Sequence, residues 1–300
     1  MTPSDPSLGP WSLAIGHSAA PGGGAALVCV DIGNTHTHVA VHHDGAFHAQ
    51  RVIPTPLLGD PAQGLPAYLA ALRSFFPAPS SPLPAPSSPL PVSFCSVVPA
   101  ATPKLLAVAS AAGLPVWQLT HEVRLGLPIT YPRPAEIGQD RLANAAGAHA
   151  LAPGRPAIVI DLGTAVTFDL VTPEGGYEGG IITPGPALVT RYLHERTAQL
   201  PLVTDLTTPV TSVIGKSTAE AIRIGAIVGY AGLIQALLDA VLAEFAARGL
   251  PPAEIFLSGG AAAVVEGRLR QPARTVPDLT LLGLVAAHAL NQAGDATANH

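Results

Sequence analysis

Three short stretches put acidic side chains where they could handle phosphate. In "VDIGNT", residues 30 to 35, a hydrophobic run ends in Asp31 and then a Gly-Asn-Thr turn. In "IDLGTA", residues 160 to 165, Asp161 and Gly163 repeat that arrangement. A turn of small residues at a strand end presents its N–H groups to an anion, and a carboxylate beside it can hold a cation that bridges phosphate oxygens. Two such turns could grip a nucleoside triphosphate from both sides, with Asp31 and Asp161 holding cations and Asn34, Thr35 and Thr164 donating to phosphate, as phosphoryl transfer needs. The third stretch is Gly138-Gln139-Asp140-Arg141, which opens an Ala-rich helical pattern. Asp140 has two readings there. It is a helix N-cap worth about 1 kcal/mol, with Arg141 on a solvated face; or it is a base that orients a hydroxyl, with Arg141 holding an acidic substrate or the transferring charge.

Two other patterns imitate chemistry. "VIGKST", residues 213 to 218, ends like a phosphate-binding P-loop, but Val210 stands where the upstream glycine belongs and no glycine-rich turn follows a strand there. His36, His38 and His42 fall on one strand face at period two, a conceivable ligand set, yet no ligand-spaced Cys or Glu accompanies them. The phosphate reading of Asp31 is therefore preferred, with His36 near enough to the turn to touch a phosphate.

The elements that must position these residues repeat as well. "LVCVDIGNT" reads as a buried strand, "HTHVAVHH" as an alternating second strand, Asp44-Gly45 as a hairpin turn and "AFHAQRVI" as the return. "AIVIDLGTA", "VTFDLVT", "PEGG" and "YEGGII" run in the same order. Helical patterns lie between and after them: "ATPKLLAVASAAG", "DRLANAAGAHAL", Ser217 to Arg248, and "LTLLGLVAAHALNQ". The implied protein is α/β, with duplicated lobes at 27–150 and 154–292, each a mixed sheet with flanking helices, and a cleft between them. Residues 1–26 read as a disordered extension and 293–300 as a tail. "PAPSSPLPAPSSPLPV", residues 77 to 92, reads as a Pro/Ser-rich loop insert.

Composition narrows the classes. With 48% hydrophobic residues among 300 the chain can bury a large core. The net charge of −5 and the scatter of its 15 Lys and Arg leave no footprint for nucleic acid or anionic membrane. Cys29 and Cys95 sit in apolar runs outside any CxxC pattern, which points to reduced thiols in a cytoplasmic protein. No Lys or Arg precedes an apolar stretch in the first 26 residues, so they do not read as a signal peptide. Arg223, Gln235, Asp239 and Glu244 interrupt the longest apolar run, which reads as a core helix.

Residues 27 to 291 resemble the type III pantothenate kinases of the acetate and sugar kinase, heat-shock ATPase and actin superfamily. "DIGNT", "CSVVP", "YPRPAEIGQDR", "DLGTAVTFD", "GGIITPG", "RTAQLP", "IGKSTAEAIRIGAIVGY", "LSGG" and "LTLLGL" occur in family order. The resemblance implies two ribonuclease H-like lobes and transfer of the ATP γ-phosphate to pantothenate, giving 4'-phosphopantothenate, the first step towards coenzyme A. It implies that Asp31, Ile32, Gly33, Asn34, Thr35, His36, Thr37 and His38 form the ATP phosphate loop, with Asp31 near Mg2+ and Thr164 a second ATP contact. It implies that Asp140 is the proton acceptor, that Tyr131, Gly138, Gln139, Asp140, Arg141 and Thr218 line the pantothenate site, and that Asp161 holds K+ or NH4+. Ser258 to Gly260 would lie near the nucleotide, and the protein would be a homodimer. Gln139 stands where a small residue is usual. The competing readings are another small-molecule kinase of the superfamily and a non-catalytic regulator on the same fold. The intact Asp31, Asp140 and Asp161 weigh against the regulator.

Overall fold

The computed structural model describes residues 26–75 and 89–297, and these form two compact units that divide between Gln118 and Leu119. In the first unit the strands are β1 (Leu27–Ile32), β2 (His36–His43), β3 (Ala46–Pro54), β4 (Val92–Ser96) and β5 (Val116–Gln118), with helices α1 (Leu65–Phe75) and α2 (Thr102–Ala111). The sheet order is β3-β2-β1-β4-β5. The β1–β2–β3 meander is antiparallel, and β4 and β5 join parallel. Asp44 and Gly45 both have positive φ, 48° and 79°, the backbone of a two-residue hairpin turn whose twist matches the strands. Val28, Val30 and Ile32 of β1 face one way, and with Val39, Phe94, Tyr68 and Leu105 they form this unit's core.

The second unit repeats the plan. It contains α3 (Gln139–Leu151), β6 (Ala157–Leu162), β7 (Ala165–Thr172), β8 (Gly176–Pro184), α4 (Pro186–Arg196), α5 (Thr218–Ile224), α6 (Tyr230–Ala247), β9 (Glu254–Ser258), β10 (Arg274–Thr275) and α7 (Leu279–Thr297). Its sheet order, β10-β9-β6-β7-β8, is the first sheet's order with β6 in the place of β1, read from the other edge. The likeness reaches a detail that local patterning does not announce: register slips between Val39 and Val41 in one hairpin and between Leu170 and Val171 in the other, so each third strand carries an extra residue. The duplication is thus one of topology and of the bulge in the third strand, while the connecting turns differ by a residue.

The helices settle several expectations. A π turn, Gly225–Gly229, joins α5 to α6, so Ser217 to Arg248 is one long helical run as expected. By length and composition Thr218–Ala247 could cross a bilayer, but Tyr230, Ile234, Leu238, Val241 and Phe245 are buried in this unit's core. The expected lobe 27–150 ends earlier, because α3 packs against α7, β6 and β7 and so belongs to the second unit. Gly147 and Gly283 permit that helix crossing: a Cβ on Gly147 would come 2.6 Å from the Leu279 carbonyl oxygen, and one on Gly283 would overlap the Ala143 carbonyl. The expected tail is also shortened, since helical backbone continues through Thr297. Residues 1–25 and most of the Pro/Ser insert lie outside the described residues. Of the insert's last residues, Pro91 accepts at its carbonyl from the Val28 N–H at 2.9 Å and Val92 opens β4.

Candidate active site

Asp31 is the last residue but one of β1, held between His38 of β2 and Cys95 of β4. The Cys95 thiol donates to its Oδ1 at 3.4 Å. The turn after it is tight. Gly33 N–H donates to the His36 carbonyl at 3.0 Å, and a Cβ on Gly33 would come within 2.9 Å of that oxygen. Thr55, which belongs to none of the sequence motifs, pins the turn: its Oγ1 donates to the Gly33 carbonyl at 2.7 Å and its N–H to the Thr35 carbonyl at 3.0 Å. The expected phosphate loop therefore divides into two kinds of residue. Asn34, Thr35, His36 and His38 are exposed, whereas the Ile32 and Thr37 side chains are buried, Thr37 pairing its hydroxyl with that of Thr55 at 3.1 Å. Ile32 and Thr37 can offer a ligand only backbone.

The second unit builds a similar turn, shorter by one residue. Asp161 is the last residue but one of β6, Gly163 N–H donates to the Ala165 carbonyl at 3.0 Å, and Gly185 N–H donates to the Thr164 carbonyl at 2.9 Å, matching Thr55 on Thr35. Thr164 is exposed. Asp161 Oδ2 accepts from Asn144 Nδ2 at 2.9 Å. On the other side, a Cβ at Gly259 would lie 2.5 Å from Asp161 Oδ1 and 2.6 Å from the Leu162 carbonyl oxygen, and Gly259 has φ +83°, so the "LSGG" turn approaches the carboxylate as only glycine can. Burial raises the Asp161 pKa, offset in part by Asn144. A buried carboxylate with an amide as its donor, beside a backbone oxygen, fits a cation.

Asp140 and Arg141 lie in the first turn of α3. The helix is capped by Gly138, with no side-chain cap, so Asp140 is not the N-cap; its Oδ1 accepts from the Arg141 N–H at 2.8 Å. Burial raises its pKa most, with the Asp161 carboxylate adding to the rise and hydrogen bonding and Arg141 opposing it. That is the environment of a carboxylate suited to accept a proton. Arg141 turns to the sheet, donating through Nε to Asp169 Oδ1 at 2.6 Å and through Nη2 to the Phe168 carbonyl at 3.0 Å. Its guanidinium sits 5.8 Å from the centre of the Tyr177 ring, and Tyr131 meets that ring edge to face at 6.4 Å. Tyr177 thus joins Tyr131 to Arg141, two residues the resemblance grouped. Asn144 Oδ1 accepts from Thr280 Oγ1 at 2.7 Å, tying α3 to α7 beside the same group.

Gln139 opens α3 and is half-buried. Thr218 opens α5, exposed, behind a capping arrangement in which Ser217 Oγ accepts from Glu220 N–H and Glu220 Oε2 accepts from Lys216 N–H. "VIGKST" is thereby a helix entry. No hydrogen bond among the described residues joins Thr218 to the Asp140–Arg141 group. Nor, among the described residues, do three or more His, Cys, Asp or Glu gather closely enough to hold a metal ion; His36, His38 and His42 lie on β2.

Known proteins resemble this chain in sequence and in fold. A family model described as type III pantothenate kinase matches residues 27–240. A type III pantothenate kinase of Methylacidiphilum infernorum is 36% identical over 258 residues, 86% of each chain. Another, of Akkermansia muciniphila, is 43% identical over 197 residues, 66% of this chain and 77% of that one. A Campylobacter jejuni crystal structure described as a Baf family transcriptional activator shares the fold, with a TM-score of 0.54 at 15% identity over 89% of this chain and 100% of that one. By its sequence over both units, the chain belongs to the type III pantothenate kinase family.

Proposed function

We propose that this protein phosphorylates pantothenate at the expense of ATP, the first step of coenzyme A biosynthesis, and that Asp140 is its base. The pantothenate hydroxyl oxygen attacks the γ-phosphorus, the bond from that phosphorus to the bridging oxygen breaks, ADP leaves, and the hydroxyl proton passes to the Asp140 carboxylate. Arg141 holds the acceptor through its carboxylate, with Tyr131, Gly138 and Gln139 beside it and Thr218 contributing from α5. In the first unit Asp31 and the exposed residues of its turn bind ATP; in the second, Thr164 does. Asp31 would hold the magnesium that comes with ATP, which would neutralise phosphate charge. Asp161 is the seat of a monovalent cation, K+ or NH4+.

The observation that carries this reading is the Asp140–Arg141 pair: a carboxylate with a raised pKa next to a guanidinium anchored on buried Asp169, in a chain of this family. A homodimer belongs to the same reading. It is supported by the apolar side chains left exposed about α4, Tyr192 at 62% and Ile182 at 64% among them. So does a cytoplasmic location, which the two buried cysteines outside any disulfide, Cys29 and Cys95, support. The deciding experiment is coupled ADP release with pantothenate, with acetate, with a panel of sugars, and with no acceptor. Release that depends on pantothenate is expected; release with a sugar or acetate alone would assign the protein to another kinase of the superfamily, and none with any acceptor would favour a regulator.

A further inference from the structure

Asp169, on β7, has no part in the chemistry above, yet it is wholly buried and draws donors from four side chains. Arg141 Nε and the Tyr177 hydroxyl donate to Oδ1, at 2.6 and 3.3 Å. Thr167 Oγ1 and Asn144 Nδ2 reach Oδ2, at 3.3 and 3.4 Å. Stability alone is a poor reason for such a pair, because desolvating two ions consumes most of their attraction and well-packed apolar residues often do as well. Geometry is a better one. The bonds to Asp169 and to the Phe168 carbonyl take the Nε and Nη2 edge of the guanidinium and fix its plane, and neither uses Nη1. Room is kept for that plane: a Cβ on Gly180 would overlap the Phe168 carbonyl and stand 2.6 Å from Arg141 Nη2.

We infer that Asp169 is the positioning residue of the acceptor site, orienting the Arg141 guanidinium so that its remaining N–H groups meet the carboxylate of the acidic substrate. The inference rests on Arg141 binding pantothenate. Asp169 itself touches no substrate, so its removal should be felt as weaker acceptor binding with nucleotide binding intact.

Asp169→Asn tests this sharply. Arg141 and Asn144 donate to opposite oxygens, so an amide must turn its NH2 on one of them whichever way it lies. The variant should raise the pantothenate KM by about tenfold or more, with kcat and the ATP KM within about threefold of the parent. Arg141→Lys, which keeps the charge and loses the fork, should do likewise. The double variant should be no worse than the weaker-binding single one, because Asp169 acts through Arg141. If Arg141→Lys leaves the pantothenate KM at the parental value, the reading of Arg141 is wrong and the inference goes with it. If Arg141→Lys raises that KM while Asp169→Asn lowers only the Tm, the substrate reading stands and the positioning role is overturned. Fully additive effects would overturn it too. Should Asp169→Asn fail to fold, Thr167→Val removes one bond to Oδ2 and leaves the charge. It should raise the pantothenate KM by about threefold with the ATP KM unmoved, and an unmoved pantothenate KM would overturn the inference.

Discussion

At the scale of single residues, Asp140 separates structure from chemistry. Its bond to the Arg141 N–H needs only an acceptor, which Asn supplies, so Asp140→Asn should hold stability to within about 1 kcal/mol. As a base Asn is inert, and loss of general base catalysis costs on the order of 100-fold to 10,000-fold. The variant should therefore melt within a few degrees of the parent, still bind nucleotide, and turn over pantothenate at least about 100-fold more slowly. Near-parental turnover would remove the proposed base. The acid limb of kcat/KM gives a second check. Asp140 must be ionised to accept a proton, and burial with the nearby Asp161 charge raises its pKa, so activity should fall as pH drops with a midpoint above the usual carboxylate value of about 4. A midpoint at or below that value would contradict the assignment. Asp161 carries a third expectation: potassium or ammonium should activate and sodium should not, and Asp161→Asn should lose the response. An Asp161→Asn variant with the parental potassium response would return Asp161 to a structural role.

At the scale of elements, α3 holds Asp140 and Arg141 at its first turn and is seated by its crossing with α7. Gly283→Ala would drive a methyl into the Ala143 carbonyl, so it should cost about 1–3 kcal/mol, seen as a lowered Tm, and slow turnover by displacing the first turn. A Tm within a degree of the parent would mean that the crossing yields freely. The elements also show what a sequence can reveal. Both hairpins are legible because alternation, the D-x-G turn and Asp44-Gly45 are local signals, and so are α2, α3, the Ser217–Arg248 run and α7. α1 carries a full apolar stripe, Leu65, Tyr68, Leu69 and Leu72, but it is short and runs straight into the Pro/Ser stretch, which hides it, while polar α4 carries none long enough to stand out. Of the site, the acids and Arg141 are legible in their motifs. Asp169 and Thr280 lie unmarked inside two of them, and Asn144 and Tyr177 have no signal at all, because the partners of these residues are 8 to 136 residues away in sequence and only the folded chain brings them together. The division at Gln118 escapes a linear reading for the same reason, since α3 precedes β6 in sequence but packs with β6, β7 and α7.

At the scale of the whole molecule, the carboxylates, amide and guanidinium of the proposed acceptor site all come from the second unit, while Asp31 and its turn come from the first. A chimera carrying a relative's residues 26–118 on this chain's 119–297 should therefore keep the parental pantothenate KM while its ATP KM moves towards the relative's. A pantothenate KM that tracked the swapped segment would show that acceptor recognition is shared between the units. The two sheets of identical strand order carry a further consequence. Each copy of the plan carries one acidic turn, the first holding its acid against the Cys95 thiol and the second against the Asn144 amide, which also reaches Asp169. Because the proposed acceptor residues all lie in the second half of the chain, a lineage could adopt a new acceptor by changes confined to that half, while the first half kept its hold on the old donor.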